Sequence, residues 1–491
     1  MRLCACAPVR LCAFAPPPPT VYPPPVPRPL LPPALRHRNF RLFLGGQFLS
    51  QCGTWIQSVA RAWLVLELTD SAFTVGLVTA LGSLPILLFT LYGGVVADRV
   101  NKRRTVLILQ ALMLTEALAL AILTGAGIIT VHWIMGLAVF YGLLSAFEVP
   151  TRQALISEIV GKADLMNAIA LNSSAFNVAR VVGPSIAGAL IATVGLAACF
   201  YVNAASYLFV VAGLALMRVM PVERPAPSSA LAALKEGFGY IFGNAGPRAL
   251  VILIAVFGIF GFSFVTMMPV FARDVLHLDA GGYGALVSAV GVGAAAAALG
   301  TAAFGRRRGG AGVGRTWLLF GALLALGAFA PNFWTALVVF TLTGCTMALN
   351  SILANTQLQL QAPDELRGRV MGFYSFVVLG MAPFGSLQAG WVAEHLGVRA
   401  AFGMGGAVCL VAAMVVGERG ARAHRRTGAP EQGDRLTAGG SQSWNAEHPM
   451  SGGQPDVSEH GAQSIPAGPA APDPERNAGG KPAPPATREP R

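Results

Sequence analysis

Charge is scarce in this sequence. Of 491 residues only 12% are Asp, Glu, Lys or Arg, against the ~25% usual in soluble domains, which excludes an ordinary water-soluble globule. Acid is scarcer than base, with 23 Asp and Glu against 35 Lys and Arg, a net charge of +12. In a soluble protein that excess would point to nucleic acid. Here the arginines gather in short connections between apolar runs, so nucleic acid is excluded as a partner. The seven cysteines are scattered, Cys4, Cys6 and Cys12 near the start and Cys52, Cys199, Cys345 and Cys409 in apolar runs. None has metal-site spacing, and no metal or other cofactor is expected. The Gly-x-x-x-x-Gly-Lys-Ser/Thr loop of an ATP-driven pump is missing. No His cluster or catalytic triad is present either, which argues against an enzyme.

What remains is apolar: 54% of the residues are hydrophobic and the mean hydropathy is +0.58. An integral membrane protein is the class that fits. The chain is organised around Gly93-Gly94-Val95-Val96-Ala97-Asp98-Arg99-Val100-Asn101-Lys102-Arg103-Arg104. It joins two apolar runs, 74–97 and 105–124, each about the ~20 residues needed to cross a bilayer as a helix. A basic loop this short stays on the cytoplasmic side. Asp98 sits at the membrane edge beside Arg99, Arg103 and Arg104, a geometry suited to a breakable ion pair.

Apolar runs predict twelve membrane helices at about 42–66, 74–97, 105–124, 130–149, 167–191, 195–217, 249–271, 281–304, 315–331, 334–358, 369–393 and 397–417. With that count the basic residues separate. Even connections hold Lys102 to Arg104, Arg152, Lys162, Arg248, Arg306 to Arg308 and Arg367, while odd ones hold only Arg273 and Arg399 among acids such as Asp70, Asp274 and Glu394. Both termini are then cytoplasmic. The fold class is all-α integral membrane, with two pseudo-symmetric six-helix bundles. Residues 1–35 read as a disordered Pro-rich tail, 36–217 as the N-terminal bundle and 218–248 as a cytoplasmic linker with a short amphipathic helix. Residues 249–420 read as the C-terminal bundle and 421–491 as a disordered tail.

An internal repeat supports the division. A shift of 202 residues places Gly183, Ala187, Gly188, Gly195, Ala198 and Phe200 on Gly385, Ala389, Gly390, Gly397, Ala400 and Phe402. Such duplication is how many transporters build a central pathway.

The Gly94-x-x-x-Asp98-Arg99-x-x-x-Arg103-Arg104 pattern resembles the loop between helices two and three of the major facilitator superfamily. The resemblance implies a latch between helix bundles on the cytoplasmic side. The Gly183-Pro184 step with Gly188 resembles the helix-five motif of antiporting members, though Ala187 replaces one expected glycine. The runs Glu148-Val-Pro-Thr-Arg152, Arg180 to Pro184, Gly53 to Gln57 and Trp63 to Ser71 are similar to the branch of enterobactin exporters and drug-efflux proteins. The second six-helix segment keeps Arg306 to Arg308 at the corresponding loop, without an Asp.

Charged residues at membrane depth are costly and usually face a cavity or a partner. Arg180 either holds an anionic or polar substrate group or makes a structural pair with Glu148 or Glu116. Arg61 either lines the cavity mouth or snorkels outward. Glu116 either carries a proton or stays neutral, bonded to Gln110 or a neighbouring helix. Gln57, Asn172, Asn177 and Asn350 are polar candidates for the pathway, and Trp55 and Phe176 could meet an apolar substrate. Glu67 and Asp70 are expected to be merely solvated, and Glu148 with Arg152 to form a gate or helix-end pair.

The expected function is proton-coupled efflux of a small amphipathic molecule, drug or siderophore-like, by alternating access. The alternatives are an importer of a small metabolite and a non-transporting membrane sensor. The expected partners are substrate, protons and the lipid bilayer of a bacterial plasma membrane, with the chain a monomer.

Overall fold

Residues 32–217, 230–304 and 311–427 are described by the structure, a computed structural model. All of them lie in one unit, Met1–Ala429. The proline-rich tail up to 31, the first part of the linker, Arg306 to Arg308 and the polar tail from 428 lie outside the described residues.

Among the described residues every regular element is helical. The first group is α1 (Arg38–Thr69), α2 (Ala72–Arg99), α3 (Lys102–Gly125), α4 (Val131–Thr193) and α5 (Leu196–Leu216). The second is α6 (Ala230–Gly243), α7 (Ala245–Val256), α8 (Phe264–Val270), α9 (Ala280–Phe304), α10 (Ala311–Gly327), α11 (Phe333–Gln361), α12 (Arg367–Gly380), α13 (Ala382–Leu396) and α14 (Val398–Thr427).

The ends follow local chemistry. Ser71 caps α2 by accepting the Thr74 N–H at 3.1 Å, Asn101 caps α3 through the Arg104 N–H at 3.0 Å, and Asn332 caps α11 through the Thr335 N–H at 3.0 Å. Each takes up a donor that the first turn leaves free.

Three details differ from the sequence expectation. The fourth and fifth spans are two arms of one helical run, broken only at Gly161 with φ 69° and ψ 177°. The connection expected at 150–166 is helical because it holds few helix breakers, and Gly161 takes the left-handed φ that a side chain would resist. The seventh span passes through π-helical turns at Phe257–Gly261 and Phe271–Val275. The eleventh is divided at Met381, just before Pro383, which has no N–H to donate.

Nine helices among the described residues are long and apolar enough to cross a membrane, and only 33% to 56% of the 18-residue apolar stretch of each is buried within the protein. The outward faces carry Leu299, Phe329 and Trp334, each 72% exposed. That much exposed apolar surface suits a lipid environment. Inside the second group, the Phe271 and Phe402 rings stack at 4.9 Å and those of Phe264 and Phe340 at 6.0 Å.

The two groups meet along two seams. A Cβ on Gly76 of α2 would lie 2.5 Å from the Ser386 carbonyl oxygen and 3.0 Å from the Gly390 Cα of α13. A Cβ on Gly284 of α9 would lie 2.5 Å from the Pro184 carbonyl oxygen and 3.0 Å from the Gly188 Cα of α4. Pro184 and Gly188 are the 202-residue counterparts of Ser386 and Gly390, so the repeat positions occupy equivalent contacts. Gly195 and Gly397, another repeat pair, both precede a helix with positive φ, 101° and 83°.

Candidate transport pathway and its closures

On the face that carries Asp70 the two groups of helices are tied together. Arg273, after α8, pairs with Asp70 at 2.6 Å and with Asp274 at 2.6 Å, and reaches the Leu66 carbonyl at 3.4 Å. Glu394 of α13 accepts the Ser71 hydroxyl at 3.1 Å and the Phe73 N–H at 3.0 Å. A carboxylate at the N-terminus of α2 also meets the positive end of the helix dipole. Trp63 stacks on Tyr283 of α9 at 5.8 Å and donates its indole N–H to Glu67 at 2.5 Å. Glu67 and Asp70 are therefore engaged rather than merely solvated. Sequence reasoning had no signal for the Asp70 partner, Arg273, which lies about 200 residues away along the chain.

The Asp70 side chain is 83% exposed, so its pair is worth only ~0.2–1 kcal/mol. Arg273→Gln is expected to shift the closure by about fivefold at most, read as the rate of disulfide formation between cysteines placed across this face. A larger shift would mean that the ion pair, not the seams, holds it shut.

The opposite face, which carries Asp98, holds a cavity between the two groups. A cavity of about 450 Å³ opens there between α2, α4, α6 and α12, lined by Thr90, Gly94, Asp98, Gln153, Leu234 and Arg369. Asp98 has no ion-pair partner among the described residues. Arg369 pairs with Glu236 of α6 and Lys102 with Glu158. Arg103 donates to the carbonyl oxygens of Leu214 and Ala215 at 2.6 and 2.8 Å, at the end of α5. Arg99 and Arg104 are exposed. Gly94 faces open space, while its neighbour Gly93 abuts the Ala146 backbone. Glu148 accepts from Arg152 Nε at 2.9 Å and from Gln110 Nε2 at 2.9 Å.

Between the two faces lies a buried polar network in the first group. Gln57 Nε2 donates to both Glu116 oxygens at 2.9 and 3.3 Å, and Asn203 Nδ2 donates to Gln57 Oε1 at 2.7 Å. Glu116 is 1% exposed and Gln57 3%. The partner of Glu116 is thus Gln57, and Gln110 serves Glu148. Arg61 lies over the Tyr141 ring at 5.9 Å. Asn203 and Tyr141 escaped the sequence reading because single polar residues in apolar helices carry no periodic signal.

Arg180 sits where the groups meet. Its guanidinium lies 5.8 Å from the Trp55 ring centre and 3.9 Å from Met347 Sδ of α11. Phe176 packs edge-on against Trp55 at 6.1 Å. Gly183 lets α4 approach Trp55, while Pro184 and Gly188 belong to the seam. Asn177 donates to the Ser173 carbonyl at 2.9 Å, and Asn172 is half-buried.

Two helix groups, seamed along one face and enclosing a cavity at the other, define a membrane transporter of the major facilitator fold. A solved peptide transporter shares that fold, with a TM-score of 0.63 at 14% identity over 79% of this chain and 95% of its own. The family model for transmembrane secretion effectors matches residues 30–426, and the chain belongs to that family, in the efflux branch of the superfamily. The multidrug efflux pump Tap of Mycolicibacterium fortuitum is 28% identical over 74% of this chain and 90% of its own. The staphyloferrin A transporter of Staphylococcus aureus is 26% identical over 76% and 94%.

Proposed function

We propose that this chain is a proton-coupled exporter of a small amphipathic molecule, working as a monomer in the plasma membrane of a bacterium. The nine candidate spans become twelve crossings when the kinked α4 run counts twice and α1 and α10 are added. This count keeps both termini and the Asp98 loop cytoplasmic. The contrast between the faces carries the reading: seams and ion pairs close the Asp70 face, and a cavity opens beside Asp98. The described state is then inward-open. In the outward-open state the Asp98 loop, with Arg99, Arg103 and Arg104 behind it, would close against the start of α12.

Efflux of a drug or siderophore-like molecule is favoured by the relative that is a multidrug efflux pump. Inverted vesicles with an imposed pH gradient test it. Accumulation of an amphipathic dye there, and not in right-side-out vesicles, is the expected result; the reverse would make the chain an importer. Tags after Leu123 and Pro331 should lie outside the cell, and cytosolic tags would overturn the topology.

Glu116 is the proposed proton site, since it is the buried acid whose hydrogen-bond partner, Gln57, is uncharged. Glu116→Gln is expected to lower pH-driven accumulation by roughly 5- to 150-fold, the usual range of coupling between two sites. Counterflow without a gradient should survive, and its loss would assign Glu116 a structural role.

A further inference from the structure

Contacts between α4 and α9 begin on the closed face at Gly188 and Gly281, continue through Pro184 with Gly284 and Val181 with Ser288, and reach Arg180 with Gly291. Phe176, one turn further along, is 40% exposed. Arg180 therefore stands at the end of the α4–α9 seam that lies away from the closed face.

A guanidinium offers five N–H donors in a planar fork. Those of Arg180 meet a thioether sulfur at 3.9 Å and the face of an indole. Neither supplies a negative charge. The two acids that might have neutralised it are engaged elsewhere, Glu148 with Arg152 and Gln110, and Glu116 with Gln57. A cation held inside a membrane protein without a counter-charge is expensive, and such residues mark substrate pathways. Three residues beyond Met347 on α11, Asn350 is 1% exposed and neither of its amide atoms has a partner. Polar capacity is thus left over on both helix groups near the same point.

We infer that the substrate is an anion, a carboxylate or an acid of similar geometry, attached to a flat apolar body. Arg180 takes the acid in a two-pronged hydrogen bond. The Trp55 and Phe176 rings, in edge contact beside it, take the apolar body. This rests on the export reading above, and it narrows an amphipathic substrate to an amphipathic acid.

The test uses two probes that differ only in charge, radiolabelled 2-naphthoate and neutral 2-naphthamide, bound to the full chain in lipid nanodiscs. The wild type is expected to prefer the acid by roughly 10- to 100-fold, the range of hydrogen bonds to a charged group. Arg180→Gln should erase the preference while leaving the naphthamide affinity within about twofold. Arg180→Lys, which keeps the charge but loses the fork, should give an intermediate ratio. If Arg180→Gln fails to fold, the ratio in Arg180→Lys decides. Equal affinities in the wild type, no binding of either probe, or a preference that survives Arg180→Gln would each overturn the inference. A pump that exports both probes equally well would sink the inference and leave export standing. An intact preference without accumulation in inverted vesicles would do the opposite.

Discussion

Valine at both Gly76 and Gly284 will abolish transport while the protein still folds. At each site a Cβ would meet a backbone carbonyl at 2.5 Å, Ser386 for Gly76 and Pro184 for Gly284. Backbone cannot swing aside as the end of a flexible side chain can, so whole helices must move apart. Overpacking of this kind costs ~1–3 kcal/mol per site. Both contacts lie between the two helix groups, so the cost falls on the closed form of this face and spares each group's own core. Together the substitutions disfavour that form by ~2–6 kcal/mol, about 30-fold to more than 10,000-fold in population. Two measurements check this: accumulation in inverted vesicles, which should vanish, and thermal unfolding in detergent, which should remain cooperative. Serine at both sites, bringing the same Cβ, should be nearly as harmful. Persisting transport in the valine double variant would mean that the seams open and close elsewhere.

The second large effect is on stability. Glu148 is 5% exposed, and the side chain of Arg152, one turn on, is 11% exposed. Removing one member of a buried pair strands the other, at ~3–5 kcal/mol. Glu148→Ala should lower stability by that amount, because it strands Arg152 and frees Gln110 Nε2 as well. The double variant Glu148→Gln, Arg152→Gln should recover much of the loss, since no charge is left unpaired. Unfolding in detergent of Glu148→Gln, of Arg152→Gln and of the double variant gives the coupling. Additive losses would show that the pair is not a unit and that Glu148 matters for another reason.

Much of this was legible in the sequence, and what was not has physical causes. Most helix positions could be read because nine of the helices are long apolar runs, and apolar length is a strong signal. The join between the fourth and fifth spans could not be read: 150–166 is polar like a loop yet holds so few helix breakers that it stays helical on both sides of Gly161. The 202-residue repeat was readable because small residues must recur where backbones touch, and Pro184 with Ser386 shows the spacing holding in space. Arg180 was readable as a charge out of place, and so was Glu116. Their surroundings were not, since Met347, Tyr141 and Asn203 become partners only through long-range packing. The Arg273–Asp70 and Glu394–Ser71 contacts were hidden for the same reason. Each joins residues that look like ordinary loop polarity until the chain has folded.

At both seams the closest approaches are of glycine carbons to carbonyl oxygens. At those points no bulky side chain has to be withdrawn when the helices roll past one another. Resistance to that motion then comes from the ties beside the seams, such as the Arg273–Asp70 pair and the Trp63–Tyr283 stack, and from the cargo. Cargo able to bridge the two helix groups, as an acid on Arg180 would, supplies the grip that smooth bearings of this kind do not.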